Sequence, residues 1–175
     1  MDQVKVEPQY PEPAGVESGV RDSDPAAHRE LAAVLQRHRE EVLSSWLAMV
    51  RALPGSRYGG LAPEHLHPSF ARALAAVIEA EHTDSCEELQ DFLLDLCRSR
   101  LRMGFGSGEI TEALLLLKEA ALPVIWRGGN GAASPWAVIA HLDARLRQAV
   151  AHFADLYGAE NARVLQQQQA RTATM

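Results

Sequence analysis

The stretch Arg98–Trp126, RSRLRMGFGSGEITEALLLLKEAALPVIW, indicates the fold class of this chain. It predicts the end of one helix, a tight break and the start of a second helix. The break contains three glycines: Gly104, Gly106 and Gly108. Glycine is tolerated where a helix must end in a left-handed residue. Ser107 is expected to cap the new helix, and Glu109 lies in its first turn, where a negative charge suits the helix dipole.

Apolar side chains recur every three or four residues along most of the chain, which is the spacing of amphipathic helices. Ser85 with Glu88 three residues later has the pattern of a capping box, and Ser134-Pro135 has that of a capped helix start. The pattern predicts five helices, at about Pro25–Leu53, Pro63–Glu81, Ser85–Gly104, Gly108–Arg127 and Ser134–Gln169. Since the composition is also rich in strong helix formers, we predict an all-α chain.

The 175 residues suffice for one domain with a hydrophobic core. Residues 1–23 are rich in proline, glycine and acidic side chains and are expected to be disordered. We predict a single helical domain over residues 24–165 and a frayed polar tail over residues 166–175. Cys86 and Cys97 fall about 16 Å apart on one predicted helix, so we expect both thiols to be reduced.

The net charge of −6 is concentrated near the start of the chain. Residues 1–24 hold six acidic and two basic side chains, a net of −4, which leaves −2 for the rest. Without a basic surplus, nucleic-acid binding is not expected. The sequence also lacks the apolar runs of a signal peptide or a membrane span, so we predict a cytoplasmic protein.

Seven histidines raise the question of a metal or haem site. His28 and His38 lie about 15 Å apart on similar faces of one predicted helix. His141 and His152 are separated by eleven residues, and no histidine is paired with an acid at the HExxH spacing. We therefore expect surface or structural histidines and no metal or cofactor. No nucleophile, phosphate loop or acid–base pair is recognisable, so we predict no catalytic residue and no enzyme.

Three arginines alternate at the end of the third predicted helix: Arg98, Arg100 and Arg102. The spacing puts Arg100 on the side opposite the other two, so one arginine can face inward. The set is explained either by compensation of the helix dipole or by an anion site near the glycine break.

Large aromatic side chains are scattered along the predicted helices. They indicate either core packing or a cavity between helices for a small apolar ligand. The residue types do not separate these two interpretations. For the second, the candidate pocket residues are Trp46, Phe70, Phe92 and Arg100.

The last predicted helix carries apolar residues at alternating steps of three and four, which is a heptad pattern. Such a seam packs either inside the domain or against a second copy of the chain. For the second arrangement, the candidate interface residues are Ile139, Leu142, Leu146, Phe153 and Leu156.

Three segments in this order resemble the N-terminal sensor domain of RsbR-type stressosome proteins and of some bacterial sensor kinases. They are REEVLSSWLAMV (39–50), LHPSFARALAAVIEA (66–80) and LCRSRLRMGFGSGEITEALLLLKEAALPVI (96–125). The most specific part is the pattern R-x-x-x-G-F-x-x-x-E-I/V, which runs here from Arg100 to Ile110. The resemblance extends over about residues 28–158.

The resemblance implies a globin-like bundle of five to six helices without haem, with a long C-terminal helix through which two copies form a homodimer. It also implies a bacterial signalling role. RsbR proteins continue into a STAS output domain with phosphorylatable threonines, whereas this sequence stops at Met175. We therefore expect it to act through a signalling protein partner.

Three functions remain as hypotheses. The first is a non-enzymatic sensory module that dimerises, binds a small apolar ligand or a partner, and relays a signal. The second is a haem-binding globin-coupled gas or redox sensor, which conflicts with the absence of histidine from Ser85 to Arg127. The third is a ligand-free helical adaptor.

Overall fold

The computed structural model describes residues 25–83, 85–128 and 131–173. Within these ranges the chain forms six α-helices, one short 3-10 turn and no β-strand, which confirms the all-α prediction. The helices are α1 (Pro25–Arg37), α2 (Arg39–Arg51), α3 (Pro63–Thr83), α4 (Glu87–Arg102), α5 (Ser107–Gly128) and α6 (Pro135–Ala173). The disorder predicted for residues 1–23 lies outside the described residues.

The first predicted helix is divided in two at His38, which the sequence analysis did not anticipate. His38 has φ −109° and ψ 25°, yet its N–H donates to the carbonyl of Val34 and its carbonyl accepts from Val42. The break is therefore a local bend with its hydrogen bonds retained. The six residues 36–41 are all polar and separate the apolar face of α1 from that of α2. Each face therefore packs into the core on its own side of the bend.

The bundle is built around α6, which packs against α5, α4 and α1. On the other side, α3 packs against α1, α2 and α4. The interior between them is filled mainly by leucine, valine and alanine, with a few large rings such as Trp46, Tyr58 and Phe153. This arrangement, with its 39-residue final helix, is consistent with the expected globin-like bundle.

The glycine break forms where it was predicted, although the capping residue differs. Gly104 has φ +76°, the left-handed conformation that ends α4. Ser107 is the first residue of α5 rather than its cap. The carbonyl of Gly106 accepts from the N–H of Ile110, so Gly106 takes the cap position, and the Glu109 side chain accepts from the Gly106 N–H at 3.0 Å.

The capping box predicted at Ser85 and Glu88 is replaced by a different arrangement. Cys86 occupies the cap position of α4, while the Ser85 hydroxyl accepts from the N–H of Glu87 at 3.3 Å. At the start of α6, by contrast, the Ser134 hydroxyl accepts from the N–H of Ala137 and caps the helix as expected.

The final helix extends further than predicted. Residues 166–173, assigned above to a frayed tail, continue α6, and residues 161–170 are all exposed to solvent. This end of α6 therefore projects beyond the body of the bundle. None of the helices in the described ranges has the length and apolar content needed to cross a bilayer.

Candidate functional site

A fully buried carboxylate, that of Glu81 in the last turns of α3, is the centre of the most unusual group of side chains in the fold. Its Oε2 lies 2.6 Å from Nε2 of His141 and 3.2 Å from Nδ1 of His28. Its Oε1 accepts from Nε of Arg145 at 2.7 Å. Side chains from α1 and α6 therefore converge on one glutamate of α3.

Two of the four side chains in this group, those of His141 and Arg145, come from α6. His141 and Arg145 are four residues apart, so they lie on the same helix face, and both point towards the end of α3. Arg145 also contacts Sγ of Cys86 at 3.0 Å, which connects the group to the start of α4. The ring of His28 lies against that of His141, with centroids 3.8 Å apart.

The surroundings of Glu81 favour the charged form of its carboxyl group. Burial alone would raise the pKa of the Glu81 carboxyl, but hydrogen bonds and charge from His141 and Arg145 outweigh it and hold that pKa below its ordinary value. The carboxylate is thus ionised at neutral pH and pairs with the Arg145 guanidinium. Because an ionised carboxylate only accepts hydrogen bonds, Nε2 of His141 is the donor in its 2.6 Å contact with Glu81.

Sequence reasoning missed this group. Spacing within single helices pairs His28 with His38 and His141 with His152. The structure instead brings the ring of His28 against that of His141, which is 113 positions away in the chain. The available signal was Glu81 itself, a charged residue that falls among the apolar positions of α3. The His141–Arg145 spacing was a second signal, although neither identifies the partner.

The aromatic pocket candidates do come together. Trp46, Phe70 and Phe92 line one cavity between α2, α3, α4 and α5, together with Tyr58. The Trp46 and Phe70 rings meet edge to face at 4.7 Å, and Trp46 Nε1 donates to the carbonyl of Ala113 at 2.6 Å. The cavity measures about 10 Å³, which is roughly the space of one water molecule. No histidine lines it.

Arg100, the fourth pocket candidate, does not line this cavity. It is the inward-facing arginine of the alternating set, with 6% of its surface exposed. Its guanidinium lies over the rings of Tyr58 and Phe105 at 5.3 and 5.2 Å, and its Nε finds no acceptor among the described residues. Burial raises the pKa of the Tyr58 hydroxyl, and the nearby Arg100 charge opposes that rise.

A family model described as the N-terminal domain of the RsbT co-antagonist protein rsbRD matches residues 40–172. The chain belongs to this family. The family is one of sensory and regulatory domains rather than enzymes. Neither the curated proteins nor the solved structures contain a significant match.

The match adjusts the extent of the resemblance at both ends. It begins at residue 40, so that α1 and His28 precede the part of the chain that the family model covers. It ends at residue 172 and therefore includes the projecting end of α6. The pattern from Arg100 to Ile110 lies inside the match and forms the α4–α5 break.

The heptad seam of this rsbRD domain packs inside the chain. Leu142, Leu146 and Phe153 are buried in the core, while Ile139 and Leu156 are half-buried against it. Of the two arrangements left open by the sequence, the seam adopts the internal one. The three buried side chains are therefore not available to a second copy, because a single chain already covers them.

Proposed function

We propose that this rsbRD N-terminal domain acts as a homodimeric, non-enzymatic regulatory module that relays a signal through α6 to a signalling protein. The family match supports a regulatory role. The family description, a co-antagonist of RsbT, supports a protein as the partner. The main support for a dimer is the outer face of α6, which is exposed and consists largely of small residues.

The outer face of α6 lies opposite the buried seam and consists largely of small residues. Five of these are exposed: Ala140, Ala144, Ala151, Ala154 and Gly158. Short side chains allow two helices to approach closely, because the distance between helix axes depends on the side chains at the contact. An exposed helix face of this kind favours packing against a second helix, and a second α6 presents the same face.

An exposed tryptophan pair extends this face at the start of α6. Trp126 and Trp136 expose 47% and 70% of their surface, and their rings meet edge to face at 5.0 Å. Tryptophan is enriched in protein interfaces, where it contributes a large contact area. The pair is therefore a suitable anchor at one end of the proposed dimer contact.

The packing of α6 provides a route for the signal. Both α4 and α5 form walls of the aromatic cavity and pack against α6. A ligand or partner that binds one arrangement of α4 and α5 more tightly than another shifts α6 as well. A small apolar ligand in this cavity requires Trp46, Phe70 and Phe92 to move apart, since the cavity holds about one water.

Light scattering of the purified full chain at micromolar concentrations tests the proposal. We expect a dimer that is weakened by Ala144→Arg and Ala151→Arg, because each places a long charged side chain on the outer face of α6. Ala48→Arg, at an exposed position of α2, is the matched control and should leave the dimer intact. A monomeric wild-type chain, or equal effects of all three variants, would refute the α6 dimer.

The size of the aromatic cavity favours one second candidate, a ligand-free helical adaptor. An adaptor binds its partner without an internal ligand. Titration of the full chain with small apolar compounds, followed by tryptophan fluorescence, separates the two. A saturable change that is lost in Phe92→Leu supports a ligand-binding sensor, whereas no change supports the adaptor.

A further inference from the structure

We propose that His28, Glu81 and His141 bind a divalent transition-metal ion, with Zn²⁺ as the best match. Each of these residues offers one ligand atom within 4.8 Å of the other two, and Nδ1 of His28 and Nε2 of His141 face Oε2 of Glu81. Two imidazoles and one carboxylate are a donor set that suits zinc and its neighbours in the first transition row. The site goes beyond the proposed regulatory function and does not depend on it.

One distance between the ligand atoms matches that of a tetrahedral zinc site, and a second is shorter. With metal–ligand bonds of about 2.0–2.1 Å, neighbouring ligand atoms are about 3.3 Å apart. His28 Nδ1 and Glu81 Oε2 are already 3.2 Å apart. The separation of His141 Nε2 from Glu81 Oε2, 2.6 Å, is that of a hydrogen bond and must lengthen by about 0.7 Å. A small rotation of either side chain achieves this.

Metal binding requires a free lone pair on the nitrogen of each ring that faces Glu81. Nε2 of His141 lies within hydrogen-bond distance of the ionised Glu81 carboxylate, so any proton it donates there must leave before the ion binds. That proton passes through solvent to Nδ1 of the same ring or to the buffer, and Nε2 then offers its lone pair to the ion.

Arg145 acts as the outer partner of the carboxylate. Its Nε donates to Oε1 of Glu81 at 2.7 Å, so that Oε2 is directed towards the two histidines. Partners of this kind orient ligands in natural metal sites and sustain their affinity. Arg145 itself is buried, which fixes its own position.

Among the three ligands, the two histidines are the more exposed. The Glu81 side chain has no exposed surface, whereas His28 and His141 expose 17% and 9% of theirs. An ion therefore enters from the histidine side, where water is available to complete the coordination of three protein ligands. Because the ligands come from α1, α3 and α6, the bound ion fastens α1 to the bundle.

The first test is titration of the metal-free full chain with Zn²⁺ by calorimetry, and with Co²⁺ followed by visible absorption. We expect one ion per chain and a higher Tm in the presence of zinc. X-ray absorption of the zinc-loaded wild type should show two imidazoles and at least one oxygen. This measurement needs no variant, and a coordination shell made only of oxygen would overturn the site.

Paired variants identify the ligands. His28→Gln should weaken zinc binding at least about tenfold, because it removes one of three protein ligands. His38→Gln is the matched control, since His38 also lies near a carboxylate, Glu41 at 3.6 Å, but on the surface. Circular dichroism and Tm of the metal-free variants verify folding. Equal zinc affinity of the two variants would show that the ion binds elsewhere and would overturn the proposal.

Discussion

The side chain of Glu109 accepts a hydrogen bond from the backbone N–H of Arg57 at 2.7 Å, which ties the first turn of α5 to the loop before α3. The same carboxylate accepts from the N–H of Gly106. One acidic residue thus stabilises the start of its own helix and holds a segment 52 positions earlier in the chain. The glycine break is therefore a tertiary contact as well as a helix boundary.

Glu109 should make stability dependent on pH on the acid side. Hydrogen bonds from the backbone N–H groups of Arg57 and Gly106 hold the pKa of Glu109 below its ordinary value of about 4.5. Its stabilising contribution is therefore complete above that value and is lost as pH falls through the lower, folded-state pKa. Denaturant unfolding between pH 7 and pH 3 measures the loss.

Glu109→Gln removes the ionisable group and one of the two acceptor oxygens, because glutamine keeps a single acceptor oxygen and does not ionise. We expect its stability to fall less steeply than that of the wild type over the same acidic range. Glu112→Gln, at an exposed position of the same helix, should retain the wild-type pH dependence. Parallel curves for wild type and Glu109→Gln would contradict the assignment.

Gly104→Ala should destabilise the domain by about 1 kcal/mol, since an alanine in a left-handed conformation is strained. Gly104 has φ +76°, and an added Cβ would meet only the Arg57 side chain at ordinary contact distance. The matched control is Gly108→Ala, which meets no neighbouring atom within 4 Å and lies in the first turn of α5. Urea unfolding should show that the control is neutral or slightly stabilising.

Trp46→Phe should lower the free energy of unfolding by about 1–3 kcal/mol, through a lost hydrogen bond and lost packing. Trp46 is buried, and its Nε1 donates to the carbonyl of Ala113. Trp136→Phe makes the same chemical change at a largely exposed position and should have little effect on the unfolding of a single chain, measured at concentrations below those of the proposed dimer. Thermal and denaturant unfolding of both variants test the contrast, and similar losses would contradict the burial of Trp46.

Glu81→Gln should cost about 3–5 kcal/mol in metal-free buffer, because it removes the buried negative charge that pairs with Arg145 and His141. The comparison is Asp95→Asn, which breaks the exposed ion pair with Arg72 and should cost less than about 1 kcal/mol. Denaturant unfolding in the presence of a chelator measures both. A Glu81→Gln protein as stable as Asp95→Asn would show that the buried group contributes little.

The predictions from sequence that agree with the structure depend on local chemistry. The left-handed Gly104, the cap by Ser134 and the acid in the first turn of α5 are each decided within a few residues. A spacing of two also placed Arg100 opposite Arg98 and Arg102 on the helix, but it left open which of the three arginines faces inward. The α1–α2 bend escaped prediction, since no proline or glycine marks His38.

The sequence by itself thus determined an all-α chain, most helix boundaries and the resemblance to its family, because helix periodicity and capping are local and repeat along the chain. Only the tertiary structure decided which face of α6 is buried and which side chains meet at Glu81. A heptad seam satisfies its apolar residues equally well against its own domain or a second copy. His28, Glu81 and His141 are distant in sequence, and it is the packing of α1, α3 and α6 that brings their side chains together.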